Sequence, residues 1–234
     1  MKISELSLPK HITLCDFSSR EALTHTLAEH IARQLSDAIN SSGKAYLAVS
    51  GGTTPVPLFK RLSQIPLAWH QVTITLADER WINPDQPDSN EYLVRTALLQ
   101  QYAGNAHFIP LWQAGMTAAA AAQHQTGCQQ LSQPFDIVLL GMGNDGHTAS
   151  LFPDAAELSA ALQSQADSVA INPTHASYAR LSLTPSRLLN SQQRILHIVG
   201  QDKLTTLTQA LISTPQAMPI NLFLQQPLTI FWAP

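Results

Sequence analysis

Charge is what this sequence has least of: Asp, Glu, Lys and Arg make up 12% of its 234 residues, about half of the roughly 25% usual in globular proteins. The net charge is −3 and the basic residues form no cluster, so the electrostatic footprint of a nucleic-acid binder is missing. An anionic small molecule remains compatible, provided that cations are focused locally. Cysteine is scarce as well. Cys15 and Cys128 stand far apart and form no C-x-x-C pattern, which excludes a disulfide framework and a cysteine-based zinc site and leaves both as small apolar fillers. His107 and His124 have no ligand partners at metal spacing, and His25 and His30 fall on a helix as solvated residues. No apolar run approaches the length needed to cross a bilayer, and no long apolar segment follows the N-terminal lysine. A soluble cytoplasmic protein without membrane contact is expected.

What the chain does have is an apolar fraction of 44%, enough for one large core at this length. Short apolar runs alternate with helical periodicity. Ser18-x-x-Glu21 has capping-box spacing, and Leu23, Leu27, Ile31, Leu35 and Ile39 recur every four residues until Gly43, predicting a first helix over 18–40. Strands are predicted at 45–49, 72–76, 137–140, 168–171, 180–184, 195–199 and 228–232. Helices are predicted after Thr54, from Asp88 to Leu99, from Ala118 to Leu131, over 148–151 and 185–190, and around Lys203. Strands alternating with helices describe an α/β chain: a Rossmann-like, mostly parallel sheet with helices on both faces, forming a single domain over residues 1–234.

Three strand ends carry chemistry, and in open α/β sheets ligands bind outside the carboxyl ends of the strands. The first is Ser50-Gly51-Gly52-Thr53-Thr54-Pro55. With Thr54 as N-cap and Pro55 as first helical residue it offers unpaired N–H groups and hydroxyls, a cradle suited to phosphate. It lacks the Gly-Lys-Ser/Thr ending of a P-loop, and Ala48 stands where a nucleophile elbow needs glycine. The second is Asp78-Glu79-Arg80, three charges at a strand's end that need water or partners. The third is the richest: Gly141, Gly143 and Gly146 follow the apolar run Ile137 to Leu140 and enclose Asp145 and His147. Glycine allows positive φ and close approach to a ligand. The spacing Gly141-x-Gly143-x-x-Gly146 also fits the dinucleotide fingerprint. Against that reading, Asp145 would lie beside the phosphates, and Asp167 precedes the next strand where an acidic residue should end it.

In order along the chain, S-G-G-T-T-P at 50–55, A-D-E-R at 77–80, G-M-G-N-D-G-H-T-A-S-L-F-P at 141–153, R-L-S-L-T at 180–184 and G-Q-D-K at 200–203 resemble the 6-phosphogluconolactonase family over nearly the whole chain. The resemblance implies hydrolysis of 6-phospho-glucono-1,5-lactone to 6-phosphogluconate in the pentose phosphate pathway, with no metal or organic cofactor. It also implies a fold shared with glucosamine-6-phosphate deaminases, and a monomer or weak homodimer. Lactone hydrolysis needs a base, stabilisation of an oxyanion and a grip on phosphate. His147 suits the base because histidine titrates near neutrality, and Asp145 suits its orientation. Arg80 is fitted either to neutralise developing charge or to bind phosphate, with Asp78 beside it; Arg180 and Lys203 are further anion partners, and sequence does not divide these jobs. A cation in the first helical turn, as at Lys203, opposes the helix dipole and calls for an anion. In the deaminases the D-G-H loop runs on to an acidic residue before the proline, used in proton transfer. Here Phe152 occupies that place, which favours the lactonase over the deaminase. A non-catalytic sugar-phosphate sensor would be expected to lose Asp145 and His147, and the chain has both.

Overall fold

A computed structural model describes residues 7–125 and 133–234. Seven strands form one wholly parallel sheet: β1 (Ile12–Asp16), β2 (Ala45–Val49), β3 (Val72–Leu76), β5 (His107–Ile109), β6 (Phe135–Leu140), β9 (Ser191–Val199) and β10 (Leu228–Ala233). Their order is β1-β10-β9-β6-β2-β3-β5. The central strands are apolar on both faces because both are covered: Leu47, Val138, Leu139, Ile195 and Leu196 are buried, as a parallel sheet requires. Helix α1 (Arg20–Ser42) packs Leu23, Leu27, Ile31 and Leu35 into this core, and Gly43 closes it in the left-handed conformation at φ 76°, its N–H on Ile39 O. One continuous hydrophobic cluster runs from Ile12 to Ala233. Among the described residues no helix is long and apolar enough to cross a membrane.

The connections decide where a ligand can sit. From β2 the chain moves outward through α2 (Val56–Leu62) to β3 and through α3 (Asn90–Ala97) to β5, whereas from β6 it moves the opposite way to β9, and then through α7 (Gln201–Leu211) to β10. With right-handed crossovers, α1 to α3 fall on one face and α7 on the other. The direction reverses between the neighbours β2 and β6, and the crevice at such a reversal is the usual ligand site of this architecture. The two loops that leave β2 and β6 are the S-G-G-T-T-P turn and the D-G-H loop.

Several expectations need correction. A second, antiparallel sheet joins β4 (Asp78–Arg80), β8 (Arg180–Leu183) and β7 (Ser168–Ile171), so Asp78-Glu79-Arg80, read as a charged end of the preceding strand, is a short strand of its own. The caps shift by one residue: Ser19 rather than Ser18 accepts the Ala22 N–H, and Ser89 rather than Asp88 caps α3. Helix α2 begins at Val56 with Pro55 in the cap position, and Thr54 makes no capping bond. Residues 148–151 form a turn closed by a bridge between Thr148 and Leu151, with Ala149 at φ 47°, instead of a helix. His30 is half-buried, bonded to Gln193 and packed on Phe231. The alanine-rich helix α4 is described for Ala118–Gln125; its predicted continuation to Leu131 and Cys128 lie outside the described residues.

Candidate active site

The D-G-H loop fixes the geometry of its own Asp–His pair. Gly146 takes φ 79°, which side chains rarely tolerate, and its N–H reaches Gly143 O at 3.1 Å while Gly143 N–H reaches His147 O at 2.8 Å. This tight turn brings Asp145 Oδ1 to 2.6 Å from His147 Nδ1 and 3.1 Å from the His147 N–H. A carboxylate only accepts, so Nδ1 carries a proton, and in the neutral imidazole Nε2 keeps its lone pair. Burial pushes the Asp145 carboxyl up, but the hydrogen bonds and charge of His147 outweigh it and hold the group below the usual carboxylate range. Phe152 packs on the imidazole, with ring centroids 4.3 Å apart. Thr148 Oγ1 donates to Gly141 O at 2.8 Å, tying the loop's exit to its start.

His147 opens onto a cavity of about 260 Å³ at the reversal between β2 and β6, near the lower end of the roughly 300–1,000 Å³ usual for small-molecule sites. The whole Ser50 to Thr54 turn lines it on one side, and Asp78, Arg80 and Lys203 line it elsewhere. Asp78 is buried and its Oδ2 accepts from Ser150 Oγ at 2.5 Å. Arg80 Nη1 donates to Asp88 O at 2.7 Å. Lys203 bonds Asn144 Oδ1, placing its ammonium beside the D-G-H loop. Two predicted residues stand back from the cavity wall. Asp145 reaches it through His147, and Arg180 turns its guanidinium to Ser177 O and Tyr178 O, with its Cζ 5.7 Å from the Phe152 ring centroid. Among the described residues, no three His, Cys, Asp or Glu side chains group as a metal site would need.

Glu79, between two cavity residues, has a different task. It is fully buried, and its two oxygens accept from the N–H groups of Arg80, Asn90 and Glu91 and from Ser89 Oγ, at 2.6–3.0 Å. Burial pushes its carboxyl up to about 7 against the pull of these four bonds. It thereby supplies the acceptor that the first turn of α3 needs. Removing it strands buried backbone donors, so Glu79→Ala is expected to cost about 2–4 kcal/mol, read as a lower urea midpoint. An unchanged midpoint would show the α3 terminus to be satisfied by other means.

Sequence reasoning overlooked Asn90 and His197, which also line the cavity. Asn90 donates Nδ2–H to Asp78 O at 2.8 Å. The D-S-N-E segment looked like an ordinary helix start, and its Asn carried no separate signal. His197 sits inside the apolar strand I-L-H-I-V, where a lone polar residue was the available clue. Burial pushes its imidazole down to about 4, so it is neutral.

Comparison with known proteins identifies the family. Residues 18–232 match the family described as glucosamine-6-phosphate isomerases/6-phosphogluconolactonase. The chain belongs to this family. Within it, the chain is 43% identical over 225 residues to a 6-phosphogluconolactonase of Mesorhizobium japonicum, covering 93% of this chain and 94% of that one. It is 40% identical over 240 residues to a 6-phosphogluconolactonase of Pseudomonas aeruginosa, covering all of both chains. The crystal structure of a 6-phosphogluconolactonase from Shewanella baltica superposes with a TM-score of 0.92 at 46% identity, covering 97% of this chain and 100% of that one. The family name spans two chemistries, isomerisation of an amino sugar phosphate and opening of a lactone. Phe152, packed on His147, bears on the choice between them.

Proposed function

We infer that the protein is a 6-phosphogluconolactonase, hydrolysing 6-phospho-D-glucono-1,5-lactone to 6-phosphogluconate in the pentose phosphate pathway. The observation that carries the mechanism is that an Asp-oriented histidine with a free Nε2 opens onto the same cavity as a glycine- and threonine-rich turn and a lysine. Nε2 of His147 takes a proton from water as the water oxygen bonds to the lactone carbonyl carbon. Arg80 neutralises the charge that gathers on the carbonyl oxygen, a preorganised electrostatic role. The tetrahedral intermediate then collapses, the bond from carbon to the ring oxygen breaks, and the imidazolium returns its proton to that oxygen. Asp145 stabilises the imidazolium between these steps, and Asp78 braces the Arg80 side of the cavity.

The Ser50 to Thr54 turn, with Gly51, Gly52 and Thr53, holds the phosphate together with Lys203. Arg180 supports the site from behind Phe152 and is not assigned to the phosphate. We propose that the protein acts in the cytoplasm as a monomer or weak homodimer, with no cofactor. The deaminase alternative needs a carboxylate where Phe152 stands, and a phenyl ring moves no proton.

Lactone loss, followed by coupling the product to a dehydrogenase at mildly acidic pH where the background is slow, tests the activity. No acceleration at micromolar protein overturns it, and ammonia release from glucosamine 6-phosphate replaces it with the deaminase. Chelation is expected to leave the rate unchanged. Lys203→Ala is expected to raise KM roughly 10- to 100-fold with kcat little altered, since a charged hydrogen bond is worth about 1.5–3 kcal/mol and this one is equal in ground and transition states. An unphosphorylated gluconolactone turned over as efficiently as the phosphorylated one would remove the phosphate grip.

A further inference from the structure

Three residues lining the cavity each keep a buried side-chain atom with no hydrogen-bond partner: Ser50 Oγ, Asn90 Oδ1 and His197 Nδ1. Native proteins rarely leave such atoms unpaired. His197 is the most instructive, because it is 4% exposed and stands in a strand whose neighbours Ile195, Leu196 and Ile198 are all apolar and buried. An apolar side chain would fill that place without leaving a polar atom stranded. Across the sheet His197 pairs with Phe231 on one side, whose ring is engaged with Phe17 and His30. On the other side the ladder pairs Leu140 with Leu196, so one step further His197 faces Gly141. A Cβ built at Gly141 would meet nothing within 4 Å. On the β6 side, therefore, His197 borders an open gap at Gly141, and both residues line the cavity.

A neutral imidazole has one N–H and one lone pair. Nδ1 is sealed without a partner, and a buried acceptor left unpaired is tolerated better than a buried N–H. The proton accordingly belongs on Nε2, which makes the ring a neutral donor. Resting on the lactonase reading, we propose that His197 is a specificity residue of this cavity, donating a hydrogen bond from its floor to a hydroxyl oxygen of the bound sugar. The phosphate is met by an ammonium and backbone amides; a neutral donor lining the same cavity suits the uncharged oxygens of the same ligand.

The test measures binding by calorimetry, with 6-phosphogluconate and inorganic phosphate as probes, for the unmodified protein, His197→Leu and His197→Gln. The Leu variant is expected to bind 6-phosphogluconate about 5- to 10-fold more weakly, the range for one neutral hydrogen bond, with phosphate affinity held within about twofold. Gln, which restores a donor near the Nε2 position, recovers most of the loss. Unchanged 6-phosphogluconate affinity in the Leu variant overturns the proposal. Equal weakening of both ligands also overturns it, because that reports a collapsed site. Should the Leu variant not fold, the His197 Nε2–H resonance of the unmodified protein decides: it is expected to shift on adding 6-phosphogluconate and not on adding phosphate, and no shift overturns the assignment. Failure of the unmodified protein to bind 6-phosphogluconate removes the lactonase reading together with this one; binding that ignores His197 removes this one alone.

Discussion

His147→Gln is expected to lower kcat about 10²- to 10⁴-fold, the usual worth of a positioned general base, while KM changes little. Glutamine keeps the polarity and approximate reach of the imidazole but accepts no proton at neutral pH. Fold and phosphate grip should survive, because the His147 side chain is about one-third exposed and the loop's hydrogen bonds at Gly143 and Gly146 are made by backbone. The pH profile separates this role from a structural one. In the unmodified protein the rate should fall towards acid as the imidazole takes up the proton that blocks Nε2. Asp145 is a poor source of that limb, since His147 holds its carboxyl below the usual carboxylate range. The acid limb should therefore vanish from the small residual rate of the Gln variant after subtraction of spontaneous hydrolysis. A variant that kept its kcat, or kept the limb, would remove His147 as base and turn attention to Asp78, which also lines the cavity.

How much of this was legible depended on which physical signal each residue left in the chain. The central strands β2 and β6 are buried on both faces, so they read as apolar runs, and the glycines and hydroxyls that follow them mark the strand ends where the cavity lies. The edge strands left no such mark: β1 has a half-exposed pattern, and β5 is three residues long. The small antiparallel sheet was hidden for a different reason. Its strand β4 reads Asp-Glu-Arg, and nothing local announces that Glu79 is buried, because the donors that satisfy it come from Ser89, Asn90 and Glu91 ten or more residues away. Arg180 is a different case: its charge suggested an anion partner, and its Nη1 is turned by the local chain to the carbonyls of Ser177 and Tyr178, three and two residues back. The caps missed by one residue because Ser18 and Ser19, like Asp88 and Ser89, are adjacent residues that both cap well.

Gly143→Ala is expected to cost about 10²-fold in kcat without touching any reacting group, the scale on which a displacement of about 1 Å is felt. An added Cβ would stand 2.1 Å from His147 Nδ1, 2.3 Å from its Cε1 and 2.5 Å from Asp145 Oδ1. No carbon tolerates such distances, so the methyl group and the Asp–His pair cannot occupy the same space. What gives way is the pair, since both are side-chain ends on a partly exposed loop, while the backbone around Gly143 is held by two hydrogen bonds. Turning the imidazole aside breaks the contact that fixes its tautomer and swings Nε2 away from the carbonyl carbon. Stability should change little, and KM should stay near the unmodified value because Lys203 and the Ser50 to Thr54 turn are untouched. The decisive comparison is a double-mutant cycle with His147→Gln. If Gly143 acts only by leaving room for the pair, the alanine should cost far less once the imidazole is gone, and the two effects should fail to add. Full additivity, or a kcat within a few-fold of the unmodified enzyme, would show that the catalytic base lies outside the reach of this loop.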